Sequence, residues 1–194
     1  VAYYLAKRGM EVTVVTGTPN YPRGKFFEGY GWFKRNVEVN NGVKIIRIPI
    51  VPRGNNSLML MLNFFSYAIN ASLFLLFYLI RHKFDACFIQ QLCPVMMAVP
   101  GIIFKKLTRK PLYVWVLDLW PESLQSAGGI NNRYVLKFFG QFAKSEYKNS
   151  DVILTSSKRF GESIVKRGNF ADKIIFYPQW ADVTEDDGSK KEIP

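Results

Sequence analysis

"VAYYLAKRGMEVTVVTG", Val1 to Gly17, decides the fold class. Its first half carries apolar residues at helical spacing and closes on Lys7 and Arg8, where cations suit the negative end of the helix dipole. Gly9 then fits the left-handed position that ends a helix. "EVTVVT", Glu11 to Thr16, follows at once as a strand. A helix that feeds straight into a strand is the second half of a β-α-β unit, and such units build parallel sheets. The strand and loop that open the unit are expected to precede Val1.

The alternation continues downstream. Strands are expected at Gly42–Val51, Asp85–Gln90, Leu112–Asp118, Asp151–Ser157 and Lys173–Pro178. Between them, "PVMMAVPGIIFKKL" reads as a helix that Pro100 and Gly101 could kink. "NRYVLKFFGQFAKSEYKNS" is amphipathic, with Val135, Phe138, Phe139, Phe142 and Tyr147 near one face, and "KRFGESIVKRG" is a short helix ending at Gly168. Continuous apolar strands separated by helices predict an α/β, Rossmann-like, mostly parallel sheet with helices on both faces. The polar tail "TEDDGSKKEIP" lacks periodicity. One domain is therefore expected over residues 1–183, with 184–194 a linker toward a further domain.

Lys and Arg total 26 against 15 acidic residues, a formal charge of +11, which favours an anionic partner: nucleic acid, an acidic membrane surface or a phosphorylated substrate. A nucleic-acid face would interleave basic and exposed aromatic residues, whereas the basic residues here gather at helix ends. Two cysteines, Cys87 and Cys93, and one histidine, His82, are too few for a Cys/His metal centre, and they suit a reducing compartment. No phosphate-binding loop, nucleophile elbow or metal motif is present, so hydrolase and kinase chemistry lack their residues.

No charge occurs between Arg53 and Arg81. Ser57–Ile80 is long enough to cross a bilayer, yet a crossing would divide the sheet between two compartments. Asn63, Ser66, Tyr67 and Asn70 form one weakly polar stripe; Leu58, Leu62, Phe65, Ile69, Leu73 and Leu76 form another, apolar one. A soluble surface helix would carry Lys and Glu, so the outer side of this one is either covered or faces lipid. Basic residues flank it at Arg53, Arg81, His82 and Lys83, and Lys105, Lys106, Arg109 and Lys110 close the next helix. An anionic membrane surface is the expected partner, met by those four cations together with Phe65 and Leu73.

Ligands of open parallel sheets bind beyond the carboxyl ends of the strands. The first strand is followed by a long Gly-, Pro- and aromatic-rich loop that holds Thr18, Asn20, Tyr21 and Arg23. The next candidates are Gln90 and Gln91, then "DLWPES" with Asp118, Trp120 and Glu122, then Ser156, Ser157 and Lys158 at a helix start. Pro121 forces the chain out of the strand. Asp118 and Glu122 either enter the cleft or cap the turn that follows.

"GMEVTVVTGTPNYPRG", "WVLDLWPESL", "DVILTSS" and "YPQWAD", in this order, resemble bacterial glycosyltransferases of family 4, nearest to L-fucosamine or colanic-acid-type sugar transferases. The resemblance covers nearly the whole chain. It implies the GT-B fold, of which this chain would be the acceptor-binding half without its first strand, the donor domain being absent and the fragment inactive alone. It also implies retaining transfer from a nucleotide-sugar to a lipid-linked saccharide in polysaccharide or O-antigen assembly. No metal or other cofactor is then expected, and the location is peripheral, on the cytoplasmic face of the inner membrane. Asp118 and Glu122 become catalytic candidates on the acceptor side. A non-catalytic membrane-associated Rossmann-like protein and a basic nucleic-acid-binding domain are the competing readings.

Overall fold

The computed structural model describes residues 1–126 and 131–179. Helix α1 (Ala2–Lys7) runs into β1 (Val12–Gly17) through Gly9, whose φ is +84°. β2 (Val37–Asn40) and β3 (Val43–Ile48) follow, then the long α2 (Ser57–Arg81) and β4 (Cys87–Gln91). A 3₁₀ turn at Val95–Ala98 leads into α3 (Val99–Thr108), β5 (Leu112–Val116) and the short α4 (Glu122–Ser126). α5 (Arg133–Asn149), β6 (Val152–Thr155), α6 (Lys158–Val165) and β7 (Ile174–Phe176) complete the order. Pro100 does not kink a helix; it occupies the first turn of α3, where a missing N–H costs nothing.

The class is the expected mixed α/β one, with parallel strands flanked by helices. Among the described residues the strands form two sheets rather than one. A four-stranded sheet in the order β4-β5-β6-β7 is parallel throughout. A three-stranded sheet runs β1-β3-β2, with β1 parallel and β2 antiparallel to β3. Sequence periodicity misses β2 because it is a four-residue, mostly exposed edge. Its signal was the Asn41-Gly42 pair, which takes φ +49° and +79°. Two consecutive left-handed residues are what a two-residue hairpin needs. Among the described residues β1 pairs only with β3, and β4 only with β5.

α2 bridges the sheets. Tyr67 donates its hydroxyl to the Val15 carbonyl of β1 at 3.2 Å, while Phe64 and Ala68 join the core over the four-stranded sheet. The polar stripe of α2 is turned inward and satisfied there. Asn63 donates to the Val51 carbonyl at 2.6 Å, the Val51 N–H to Ser66 Oγ at 2.9 Å, and Asn70 to the Pro49 carbonyl at 2.8 Å. These bonds dock α2 on the segment that follows β3. Asn56 caps its start by accepting from the Met59 N–H at 2.8 Å.

The main core lies between β5–β6 and α5, where Leu112, Val114, Val116, Ile153, Ala143 and Tyr147 are all sealed from solvent. Glu146 of α5 is sealed with them, and neither carboxylate oxygen has a hydrogen-bond partner among the described residues. Burial pushes its carboxyl well above the usual range, which favours the neutral form in the fold, whereas the unfolded chain ionises it at neutral pH. Its contribution to stability is therefore complete below the unfolded carboxyl pKa and is lost as pH rises toward the folded one. Glu146→Leu is expected to raise unfolding free energy at neutral pH by about 1–3 kcal/mol, by removing an unpaired buried polar group. It should also flatten the pH dependence between acid and neutral conditions. Urea midpoints at several pH values measure both; a variant no more stable than the parent at pH 7 overturns the assignment.

Candidate functional site

A cleft of about 400 Å³ opens at the carboxyl ends of β1 and β4. Its rim is built by two loops, one after β1 and one after β3. Thr18, buried, donates its hydroxyl to the Ile48 carbonyl at 3.3 Å and so ties the first loop to the end of β3. Asn20 donates to the Thr18 carbonyl at 2.9 Å and accepts from the Arg53 N–H at 3.0 Å. The Gly54 N–H donates to the Gly24 carbonyl at 3.0 Å. Gly24 has φ +70°, and a Cβ there would meet the Gly54 carbonyl oxygen at 2.6 Å, so only glycine allows this approach.

The two loops bring one cation and the Tyr21 ring to the cleft, next to the buried Phe64 ring of α2. The Arg53 guanidinium stands 4.9 Å from the Tyr21 ring centroid and 5.6 Å from that of Phe64. Cys93 also lines the cleft. Desolvation pushes its thiol up to about 11; the Asp118 carboxylate adds to this and Arg53 opposes it. Asp118 and Arg53 thus both act electrically on one point of the cleft, although Asp118 does not itself line it.

The "DLWPES" stretch leaves β5 and turns back on itself. Buried Gln91 donates to the Asp118 carbonyl at 3.1 Å, joining the ends of β4 and β5. Asp118 accepts from the Trp120 indole N–H at 2.9 Å with one oxygen and from the Ser123 hydroxyl with the other. Trp120 is buried and meets Phe139 of α5 edge-on, with centroids 5.4 Å apart. It lies under the loop rather than offering a face to a ligand. Glu122, the first residue of α4, takes both its oxygens to the Arg167 guanidinium and also accepts from Ser163 of α6 at 3.2 Å. Arg167 also donates to the Trp120 carbonyl. Burial resists ionisation of Glu122, but the Arg167 and Ser163 hydrogen bonds outweigh it and hold the carboxyl below its usual range.

A carboxyl held low stabilises the fold above its unfolded pKa and loses that effect as pH falls through the folded value. Arg167→Ala is expected to cost roughly 1–2 kcal/mol at neutral pH, since Glu122 is half-exposed and the pair partly screened. The gap between variant and parent should close in acid. Thermal midpoints measured from neutral to acid pH check this, and a gap that widens in acid is the contrary result.

Of the residues anticipated from strand ends, Thr18, Asn20 and Tyr21 line the cleft. Arg23 stacks its guanidinium on Phe27 at 5.1 Å, and Gln90 is exposed on β4. Ser156 donates to the Val116 carbonyl at 3.3 Å, Ser157 caps α6, and Lys158 stands 5.7 Å over the Phe176 ring. These last three are outside the cleft lining. Arg53, Asn63 and Tyr67 line it without having been anticipated. The rule of inspecting strand ends would have found Arg53 had it been applied to β3.

Among the cations anticipated at a membrane, Lys105 binds both Asp151 oxygens at 2.7 Å and Lys110 lies 3.5 Å from Asp85. Lys106 and Arg109 are exposed; Phe65 is partly buried against the core, and Leu73 is 51% exposed. Among the described residues no three of His, Cys, Asp and Glu gather as a cation site. The Trp180–Asp182 part of "YPQWAD" and the anticipated linker lie outside the described residues.

No family model matches the chain. It is 26% identical over 185 residues to a protein of Escherichia coli (strain K12) described as a colanic acid biosynthesis glycosyl transferase, WcaI. That similarity takes in 93% of this chain but only 44% of the relative, so the chain spans less than half the length of the glycosyl transferase it is similar to.

Proposed function

We propose that this chain is the acceptor-binding half of a GT-B, family 4 glycosyltransferase that moves a sugar from a nucleotide-sugar to a lipid-linked saccharide during cell-surface polysaccharide assembly. The observation that carries the reading is the similarity to WcaI along nearly the whole chain. The cleft supports it by its position and chemistry. It lies beyond the carboxyl ends of parallel strands, where α/β sheets take their ligands. Its Arg53 guanidinium offers a diphosphate a cation, exposed Tyr21 offers a sugar ring an apolar face, and Thr18 and Asn20 hold the loop that carries Tyr21.

In this reading the nucleotide sits mainly on a separate donor domain, and the present chain alone does not turn over. The Asp118 carboxylate is felt at Cys93 in the cleft lining, so we assign it to the acceptor side. Glu122 holds the "DLWPES" loop against α6 through Arg167. Transfer is retaining, with the departing phosphate taking the acceptor proton, and needs neither a metal nor a dedicated base.

The test uses the intact protein that carries this chain, a panel of labelled nucleotide-sugars and lipid-linked saccharide extracted from membranes. Label moving into the lipid fraction, at an unchanged rate with EDTA, is the expected result. The anomeric configuration of the product, read by NMR, decides retention. Failure of every nucleotide-sugar both to bind and to transfer overturns the proposal.

A further inference from the structure

α2 is built inside out for a helix on a soluble domain. Its small and amide side chains face the protein: Asn63, Ala68, Ala71 and Ser72 are buried. Its bulky aliphatic side chains face away. Leu58, Leu62, Ile69, Leu73, Leu76, Phe77 and Ile80 are between 40% and 77% exposed. At 100° per residue they fall on one stripe opposite the buried one. Twenty-five residues extend about 37 Å, so the stripe is as long as a small domain is wide. Nothing among the described residues covers it. The helix is long and apolar enough to cross a bilayer, but its inward hydrogen bonds to Val15, Pro49 and Val51 hold it on the sheets.

Two further features identify what the stripe meets. The first is its chemistry. Six of the seven exposed residues are aliphatic and none has a polar atom, whereas protein interfaces favour Tyr, Trp and Arg within a polar rim. Acyl chains ask for no hydrogen bonds. The second is the charge at its far end. The exposed Arg81, His82 and Lys83 continue directly from the stripe. Leu79, His82 and Lys83 share a small cleft with Thr108 and Lys110, which brings the end of α3 beside them. Exposed Lys106 and Arg109 belong to that same end, where Asp85 pairs with Lys110 and Asp151 with Lys105.

The geometry points to α2 as a membrane-interfacial helix: its Leu58–Ile80 stripe lies among the headgroups and upper acyl chains of an anionic leaflet, and the Arg81–Lys83 and Lys106–Lys110 cations sit against the lipid phosphates. The helix lies along the leaflet and does not cross it. Arg53, Asn63 and Phe64 line the cleft near the start of the same helix, on the side it turns toward the protein. This deepens the proposed reading by holding the domain at the membrane that carries a lipid-linked acceptor. Vesicle binding needs neither donor nor acceptor, so its failure is distinguishable from failure of sugar transfer.

The intact protein is mixed with phosphatidylcholine vesicles with and without phosphatidylglycerol, at low and high salt, and co-sedimentation is measured. Binding is expected to require phosphatidylglycerol and to weaken with salt. Replacing Arg81, Lys83, Lys106 and Arg109 with Gln should lower partitioning about a hundredfold or more. Leu73→Gln, Phe77→Gln and Ile80→Gln together should lower it by about tenfold or more while leaving the thermal midpoint unchanged or raised, because these side chains already face water. A fluorophore on residue 77 should shift to the blue on binding.

Three results overturn the inference. One is undiminished binding by the stripe variant, or no blue shift from a fluorophore on residue 77 of the otherwise unchanged stripe. Another is self-association that the stripe variant abolishes while vesicles are ignored, which makes a second copy the occupant. The third is resistance to both high salt and alkaline carbonate, which marks a crossing helix.

Discussion

Asp118→Asn in the intact protein is expected to lower kcat/KM for sugar transfer by about ten- to a hundredfold while leaving donor affinity unchanged. The substitution keeps the shape of the loop. The asparagine carbonyl can still accept from the Trp120 indole. Its amide can donate to Ser123 Oγ, whose own proton turns to the Leu119 carbonyl, 3.0 Å away. What disappears is the negative charge that reaches the cleft wall at Cys93. A charge several ångströms away at the effective dielectric of a protein site is worth on the order of 1–3 kcal/mol, which sets the expected range. The measurement is transfer from a labelled nucleotide-sugar, with donor binding and the thermal midpoint followed separately. Full activity in a folded variant would restrict Asp118 to locking its own loop. Glu122→Gln should affect transfer less, because both Glu122 oxygens are already held by Arg167.

Trp120→Ala should cost about 3–5 kcal/mol of stability, the largest change expected of any single substitution here. The ring is 3% exposed and sits in the main core against Phe139, which in turn meets Phe138 edge-on at 5.3 Å. Removing it opens a cavity beneath the loop and leaves Asp118 without its indole donor. Trp120→Phe separates the two effects. It retains most of the packing and loses the N–H bond to Asp118, so it should cost about 1–2 kcal/mol. Urea unfolding of both variants gives the comparison. If Trp120→Phe costs as much as Trp120→Ala, the hydrogen bond rather than the packing holds the loop. If Trp120→Ala is nearly neutral while transfer fails, the ring meets substrate and the buried placement is wrong.

The α/β class was legible in local pattern. The run from α1 through Gly9 into β1, and the apolar strands at β4, β5 and β6, each declare themselves within a few residues through spacing and turn chemistry. The absence of charge between Arg53 and Arg81 was likewise visible at once. Local pattern cannot say which side of a helix turns inward when neither side is charged. α2 shows why: its amides pair with the Pro49 and Val51 carbonyls, and a stripe that looks weakly polar on its own is the one that becomes buried. The division into two sheets and the antiparallel β2 also belong to tertiary structure, since strand pairing joins residues with no local mark of their partner. The site follows the same rule. The sequence placed Thr18, Asn20, Tyr21, Asp118 and Glu122 at strand ends, where ligands of such sheets bind. Only the folded chain brings Arg53 over Tyr21, and only it turns Glu122 toward Arg167, 45 residues away. Contacts of that separation are selected by packing of whole elements, and no window of sequence contains both partners.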